Sequence, residues 1–263
     1  MEIAGYIASL LIGVSLGLIG GGGSILTIPV LVYLFRIQPT VATGYSLFIV
    51  GCSSLAGAYK NYQKGNVHFK SAFYFGSGSI ITVVLIRKFL IPYIPETLFS
   101  IGSFVVTKSL IIMLLFAVVM MAASLNMIRK HVIIDDKKDH TIHLTRSIIR
   151  GIQVGILTGL LGAGGGFIII PVLIFSFHLS MKQAIGTSLL IMSMNSLLGF
   201  IGDLFYQHID WPLLLTVTAI SIAGTFLGRK MGETIPGEKL KKGFGWFILI
   251  MGIYIILHEL FRK

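Results

Sequence analysis

The chain has 263 residues, 55% of them hydrophobic and only 12% charged, with a formal net charge of +11. A water-soluble surface needs roughly twice that charged fraction, so a soluble globular protein is excluded. The cations lie in short clusters between apolar runs, as membrane orientation requires, and form no stripe that would serve a nucleic-acid partner.

In chain order, the first apolar element is cut by glycine. Ile3–Ile19 and Ser24–Phe35 flank the run Gly20, Gly21, Gly22, Gly23. The opening "MEIAGYIASL" has no basic n-region and reads as a retained membrane segment rather than a removed signal. Next comes Ala42–Val50, "ATGYSLFIV", which places Thr43, Tyr45 and Ser46 inside apolar helix, with Ser53 and Ser54 one to two turns on. Cys52, the single cysteine, excludes an intrachain disulfide and a cysteine-cluster metal site. Ser71–Ile86 and Ser109–Met127 carry no charge and approach the roughly 20 residues needed to cross a bilayer. The hydrophilic stretch Arg129–Arg150 follows, and its three histidines match no compact metal-ligand spacing. It reads as a linker, dividing the chain into residues 1–128, the linker 129–146, and residues 147–263.

The second part repeats the first at an offset of 142. "GLIGGGGSILTIP" (Gly17–Pro29) aligns with "GLLGAGGGFIIIP" (Gly159–Pro171), and "ATGYSLFIV" aligns with "AIGTSLLIM" (Ala184–Met192). Ser147–Leu161 and Phe167–Phe177 flank the second break at Gly162, Gly164, Gly165 and Gly166. The second polar helix holds Thr187, Ser188, Asn195 and Ser196, and the uncharged Ala184–Gly202 and Trp211–Gly228 complete the apolar runs. Arg87-Lys88 falls on Arg229-Lys230. Such repeats are what secondary-transporter folds are built from.

The limbs after each break have 12 and 11 residues, about 16–18 Å of helix, too short for a core of about 30 Å. Each broken element therefore crosses as a helix pair or dips in and returns. If it crosses, the 21 cations divide almost evenly between the two sides. If it returns, one side collects Lys60, Lys64, Lys70, the six from Arg129 to Arg150, Lys182 and the five from Arg229 to Lys242. The other side keeps Arg36, Arg87, Lys88, Lys108, Arg262 and Lys263. The positive-inside rule favours that asymmetry. The expected fold is thus an all-α polytopic membrane protein of two inverted repeats, each a re-entrant broken helix pair plus three transmembrane helices.

A glycine break in a membrane helix leaves main-chain N–H groups free to meet an anion at the positive end of the helix dipole. Gly13, Gly17, Gly155 and Gly159 instead form small-xxx-small patterns that serve helix packing. Neither break carries the Lys-Ser/Thr of a phosphate loop. Gly20–Gly23 with Ser24, and Gly162 with Gly164–Gly166, are the candidate substrate-binding turns. Thr43, Tyr45, Ser46, Ser53, Thr187, Ser188 and Asn195 either line a pathway or hydrogen-bond between helices. Asp203 and His208, near the end of a helix, are the candidates for proton coupling. No clustered nucleophile, base or metal-ligand set points to an enzyme, and no cofactor is expected.

The paired glycine motifs, each followed by "ATGYSL" or "AIGTSL", resemble the sulfite exporter TauE/SafE family, the 4-toluenesulfonate uptake permeases, over nearly the whole chain. The resemblance implies a multi-pass plasma-membrane transporter of small sulfur-containing anions such as sulfite, sulfonates, sulfoacetate or thiosulfate. An anion channel, or a membrane assembly or sensing factor, is the other reading. The two copies differ where Ala163 and Gly166 stand against Gly21 and Ser24, and where Thr187 stands against Tyr45, so an asymmetric site is expected. The lipid bilayer and a small anion are the expected partners; no feature of the sequence assigns an oligomeric state.

Overall fold

The computed structural model describes residues 2–101, 104–129, 144–204, 209–232 and 237–261. Ten α-helices carry the described chain: α1 Glu2–Ile19, α2 Gly23–Pro29, α3 Pro39–Gln63, α4 Phe69–Leu85, α5 Lys108–Arg129, α6 Leu144–Leu161, α7 Gly166–Phe177, α8 Met181–Asp203, α9 Trp211–Gly232 and α10 Gly237–Phe261. The expectation of an all-α fold needs one correction. Thr97–Ile101 (β1) and Phe104–Thr107 (β2) pair as a short antiparallel hairpin between α4 and α5. Pro92 and Pro95 precede it and break the helical run. α6 begins at Leu144, inside the expected linker, and positions 130–143 of that linker lie outside the described residues.

Four described helices are long and apolar enough to cross a membrane: Pro39–Gln63, Phe69–Tyr93, Met181–Asp203 and Trp211–Gly232. Their starts are set by local chemistry. Pro39 opens α3, where its missing N–H costs nothing. Ser180 and Gln183 close a capping box on α8. His68 Nδ1 accepts from the Ser71 N–H at the start of α4, and Asp210 Oδ1 accepts from the Leu213 N–H at the start of α9. Polarity is inverted relative to a soluble protein. Ile3, Ile7 and Leu11 form an exposed stripe on α1, while Ser46, Ser53, Ser54, Ser188 and Asn195 are fully buried. Lipid tails solvate the stripe, and the protein interior must satisfy the polar groups.

Each broken element is a hairpin. Gly23, at the start of α2, packs on the Ile12 carbonyl and on Leu16, and the Phe35 ring past its end meets Tyr6 at 5.5 Å. α2 therefore runs back along α1. A π turn, Val30–Leu34, follows Pro29, and the Phe35 N–H reaches back to the Val30 carbonyl. In the second element Gly165 packs on Thr158, and Phe177, at the far end of α7, meets the Phe75 ring edge-on at 6.3 Å; the Phe75 carbonyl adjoins Gly151 of α6. Two pairs of positions 142 apart share backbone conformation. Gly20 and Gly162 have φ +73° and +67°, and each donates its N–H to the carbonyl four residues back. Arg36 and His178, at φ 57° and 50°, both end the second limb, with Ile37 bonded to Leu31 and Leu179 bonded to Leu173.

α1 packs along α9 and α6 along α4, while α3 packs on α8 and α5 on α10. α3 and α8 run antiparallel: Gly51 adjoins Leu197, Gly57 adjoins Leu189, and the loop residue Asn66 adjoins Gly186. α1 and α9 run parallel, with Gly13 against Ser221 and Gly224, and Gly17 against Thr225 and Arg229. Gly155 and Gly159 meet α4 at Ser79, Thr82 and Val83, and Ile86 just past its end, in the same way. The small-xxx-small glycines therefore sit in helix contacts, as their spacing suggested. Gly13→Val would drive a side chain into the Ser221 carbonyl, which no rotamer change relieves. The expected result is a loss of about 1–3 kcal/mol, read as a lower melting temperature of the purified protein in detergent.

Candidate functional site

The two glycine breaks meet at the centre of the α3/α8 pair. A Cβ on Gly21 would lie 2.6 Å from the Gly166 carbonyl oxygen, so the two main chains touch. Gly164 rests on Val50, the middle of α3, with the Ser196 hydroxyl 3.0 Å from where its Cβ would stand. Gly166 rests on Met192 of α8. Toward one end Gly20 packs on Ile185; toward the other, Gly162 packs on Thr43 and Arg87.

The breaks differ in detail, as the sequence led us to expect. In the second, Gly162, Gly164 and Gly165 all have positive φ, between +66° and +75°. In the first only Gly20 does, and Gly22 is right-handed at φ −69°. A left-handed residue costs roughly 1–2 kcal/mol when it carries a side chain, which accounts for glycine at these positions. The N–H of Ile25 returns to Gly22, and those of Ile168 and Ile169 return to Gly165. The N–H groups of Gly23 and Ser24, and of Gly166 and Phe167, open their helices and have no intrahelical acceptor.

The polar side chains expected at this site fall into three groups. Ser24 donates to the Gly21 carbonyl at 2.8 Å and Ser188 to the Gly20 carbonyl at 3.1 Å, so both hold the first break in shape. Tyr45 and Thr187 serve helix starts: the Tyr45 hydroxyl accepts from the Asp210 N–H, and the Thr187 hydroxyl accepts from the His68 N–H at 2.9 Å. These two bonds occupy matching positions in the two halves. The third group is buried with unused hydrogen-bonding capacity. Among the described residues, the hydroxyls of Ser46, Ser53, Ser54 and Ser196, the Thr158 hydroxyl and Asn195 Oδ1 have no partner. Asn195 Nδ2 donates to Ser79 at 2.7 Å, which fixes the amide with its oxygen free. Ser46, Val50, Ser53 and Ser54 share one face of α3 by helical spacing, and Val50 of that face touches Gly164.

An unpartnered buried polar group costs about 1–3 kcal/mol, and native proteins keep few of them. Several of them, carried on α3 and α8 where the two glycine turns meet these helices, make a buried cluster rich in hydrogen-bonding groups. Such chemistry suits an anion.

Sequence reasoning placed Arg87, Lys108 and Asp203 at the membrane surface. The structure buries all three. The helical run of α4 continues through Ile86–Leu90 and on to Tyr93, which keeps Arg87 inside the bundle. Its Nη1 donates to Asp203 Oδ2 at 2.9 Å and to the Thr43 hydroxyl at 3.1 Å. Lys108 Nζ donates to the Ile91 carbonyl at 2.7 Å. The signal in the sequence was the match of Arg87 to Arg229 and a lone carboxylate within an apolar run. His208, the other candidate for proton coupling, lies outside the described residues.

Known proteins resemble the chain over nearly its whole length. Residues 6–255 match the family model described as sulfite exporter TauE/SafE. A "probable membrane transporter protein" of Xylella fastidiosa is 31% identical, covering 94% of this chain and 91% of its own length. The Bacillus subtilis "probable membrane transporter protein YdhB" is 28% identical over 94% and 96% of the two chains. A "probable membrane transporter protein" of Haemophilus influenzae is 26% identical over 97% and 95%. No solved structure matches the chain.

Proposed function

Because the chain belongs to the sulfite exporter TauE/SafE family of membrane transporters, we propose that it is a secondary carrier for small sulfur-containing anions. The cargo class comprises sulfite, sulfonates, sulfoacetate and thiosulfate. The observation that carries this reading is the contact of Gly21 with Gly166 against α3 and α8, the two helices that carry the buried, unpartnered Ser46, Ser53, Ser196 and Asn195 Oδ1. Dipolar donors spread the charge of a monoanion or dianion, so binding stays weak enough for release on the far side.

The two halves would act as inverted repeats. Support comes from the antiparallel α3/α8 pair and from the exchange of α1 on α9 for α6 on α4 when positions shift by 142. Rocking of one half against the other opens the central chamber first to one side of the inner membrane and then to the other. The hairpin tips reach the chamber from opposite sides, so each forms part of one gate.

The test is uptake by proteoliposomes of radiolabelled sulfite, thiosulfate, taurine-derived sulfonates and sulfate, with and without a pH gradient. Saturable flux with counterflow exchange is the expected result, and stimulation by the gradient identifies proton coupling. Non-saturating flux without counterflow marks a channel. No flux of any of these anions overturns the proposal.

A further inference from the structure

Arg87 is fully buried, and its guanidinium is only half used. Both of its hydrogen bonds leave from Nη1, to Asp203 and to Thr43. Among the described residues Nε and Nη2 have no partner. These two nitrogens form the side-on edge of the guanidinium, whose parallel N–H bonds match two oxygens of one anion. A buried ion pair kept only for structure is expected to satisfy its remaining donors, because each unmet charged donor in low dielectric is costly. Here the carboxylate takes one nitrogen and leaves the two-toothed edge open.

The position of that edge is also informative. Nη2 packs against Gly162, the first residue of the second break. Gly199 and Gly202 of α8 make room for the arginine stem; a Cβ on Gly202 would stand 3.1 Å from the Arg87 Cβ. Lys108, 5% exposed, lies 4.0 Å from the exposed Glu96 carboxylate and within electrostatic range of Arg87 and Asp203, so this end of the site holds two buried cations beside one buried carboxylate. The matching positions at the other end are Arg229, Asn61 and Ile185. Asn61 donates to the Gly57 carbonyl at 3.0 Å, so the carboxylate and the threonine exist at one end only.

We infer that the open edge of Arg87 is an anion subsite, at which Nε–H and Nη2–H take two oxygens of a compact oxoanion while Asp203 holds the guanidinium in place. The inference rests on the anion-carrier reading and narrows it to cargo that presents two oxygens on one atom, such as sulfite or a sulfonate. Halides offer one contact and gain nothing from the fork. Asp203 repels the bound anion and sets how easily it leaves.

The test uses the purified full chain in detergent, with sulfite, methanesulfonate and chloride as probes at matched ionic strength. Binding is followed by calorimetry and by thermal shift. Arg87→Lys keeps the charge and loses the fork; the expected result is at least a 10-fold weaker affinity for both oxoanions. Asp203→Asn is expected to melt lower without anion and to regain its melting temperature with either oxoanion but not with chloride. A structural ion pair alone gives no such selective recovery, and this second variant decides the matter if Arg87→Lys does not fold. Sulfite binding by Arg87→Lys within twofold of the parent overturns the subsite and leaves the carrier reading standing, as does an Asp203→Asn defect that neither oxoanion repairs. A parent protein that binds none of the probes removes both.

Discussion

Gly21→Val is expected to cut anion flux by about 10-fold or more while the protein still inserts in the membrane. The new Cβ would stand 2.5 Å from the Gly166 carbonyl carbon. Both partners in this contact are main chain, so no side-chain rotation relieves it and the breaks must move apart. Overpacking of this kind costs about 1–3 kcal/mol. Placed on one state of a carrier cycle, that is about a 5–150-fold shift in its population. Gly243→Ala is the control, because its Cβ would meet nothing within 4 Å. The measurement is initial uptake rate per inserted protein, with insertion checked by size-exclusion profile. Unchanged flux in Gly21→Val would mean that the break-to-break contact is no part of the pathway.

Asp203→Leu is expected to damage the fold itself. It leaves the Arg87 guanidinium, buried and charged, with the Thr43 hydroxyl as its remaining hydrogen-bond acceptor among the described residues. Breaking a buried ion pair from one side costs roughly 3–5 kcal/mol, enough to lower both melting temperature and membrane abundance. The double variant Arg87→Met with Asp203→Leu removes both charges and replaces them with apolar volume. Its stability should return to within about 1–2 kcal/mol of the parent, because no charge is left stranded. Its transport should not return, because the anion subsite has lost its guanidinium. Recovery of both would make the ion pair purely structural.

The fold was largely legible before any coordinates. Apolar runs, the fixed 142-residue offset and the glycine clusters placed nearly every helix and both breaks. The reason is that the bilayer imposes length and satisfied backbone on every crossing, so hydropathy alone marks the spans. Two features escaped. The β1/β2 hairpin follows a proline pair in a stretch with no clear period. The continuation of α4 past Leu85 depends on a π turn that sequence does not announce. That continuation moved Arg87 from an expected loop into the interior.

The site was legible in outline only. The two glycine runs and the hydroxyl-bearing helices could be named from their spacing, because glycine and serine are the residues a membrane helix carries for a reason. Which hydroxyls are spent and which are free could not, since Ser46 and Ser188 occupy matching positions yet only Ser188 holds a carbonyl of the first break. Tyr45 and Thr187 were likewise open to lining a pathway or bonding between helices, and their hydroxyls meet the starts of α9 and α4. Sequence by itself determined an apolar helical membrane protein with two glycine breaks, because periodicity, length and composition are local properties of the chain. Only the tertiary structure set Gly21 on Gly166 and put Asp203, 116 positions away, on one nitrogen of Arg87. Those contacts depend on how α3 and α8 cross, and no single segment encodes them.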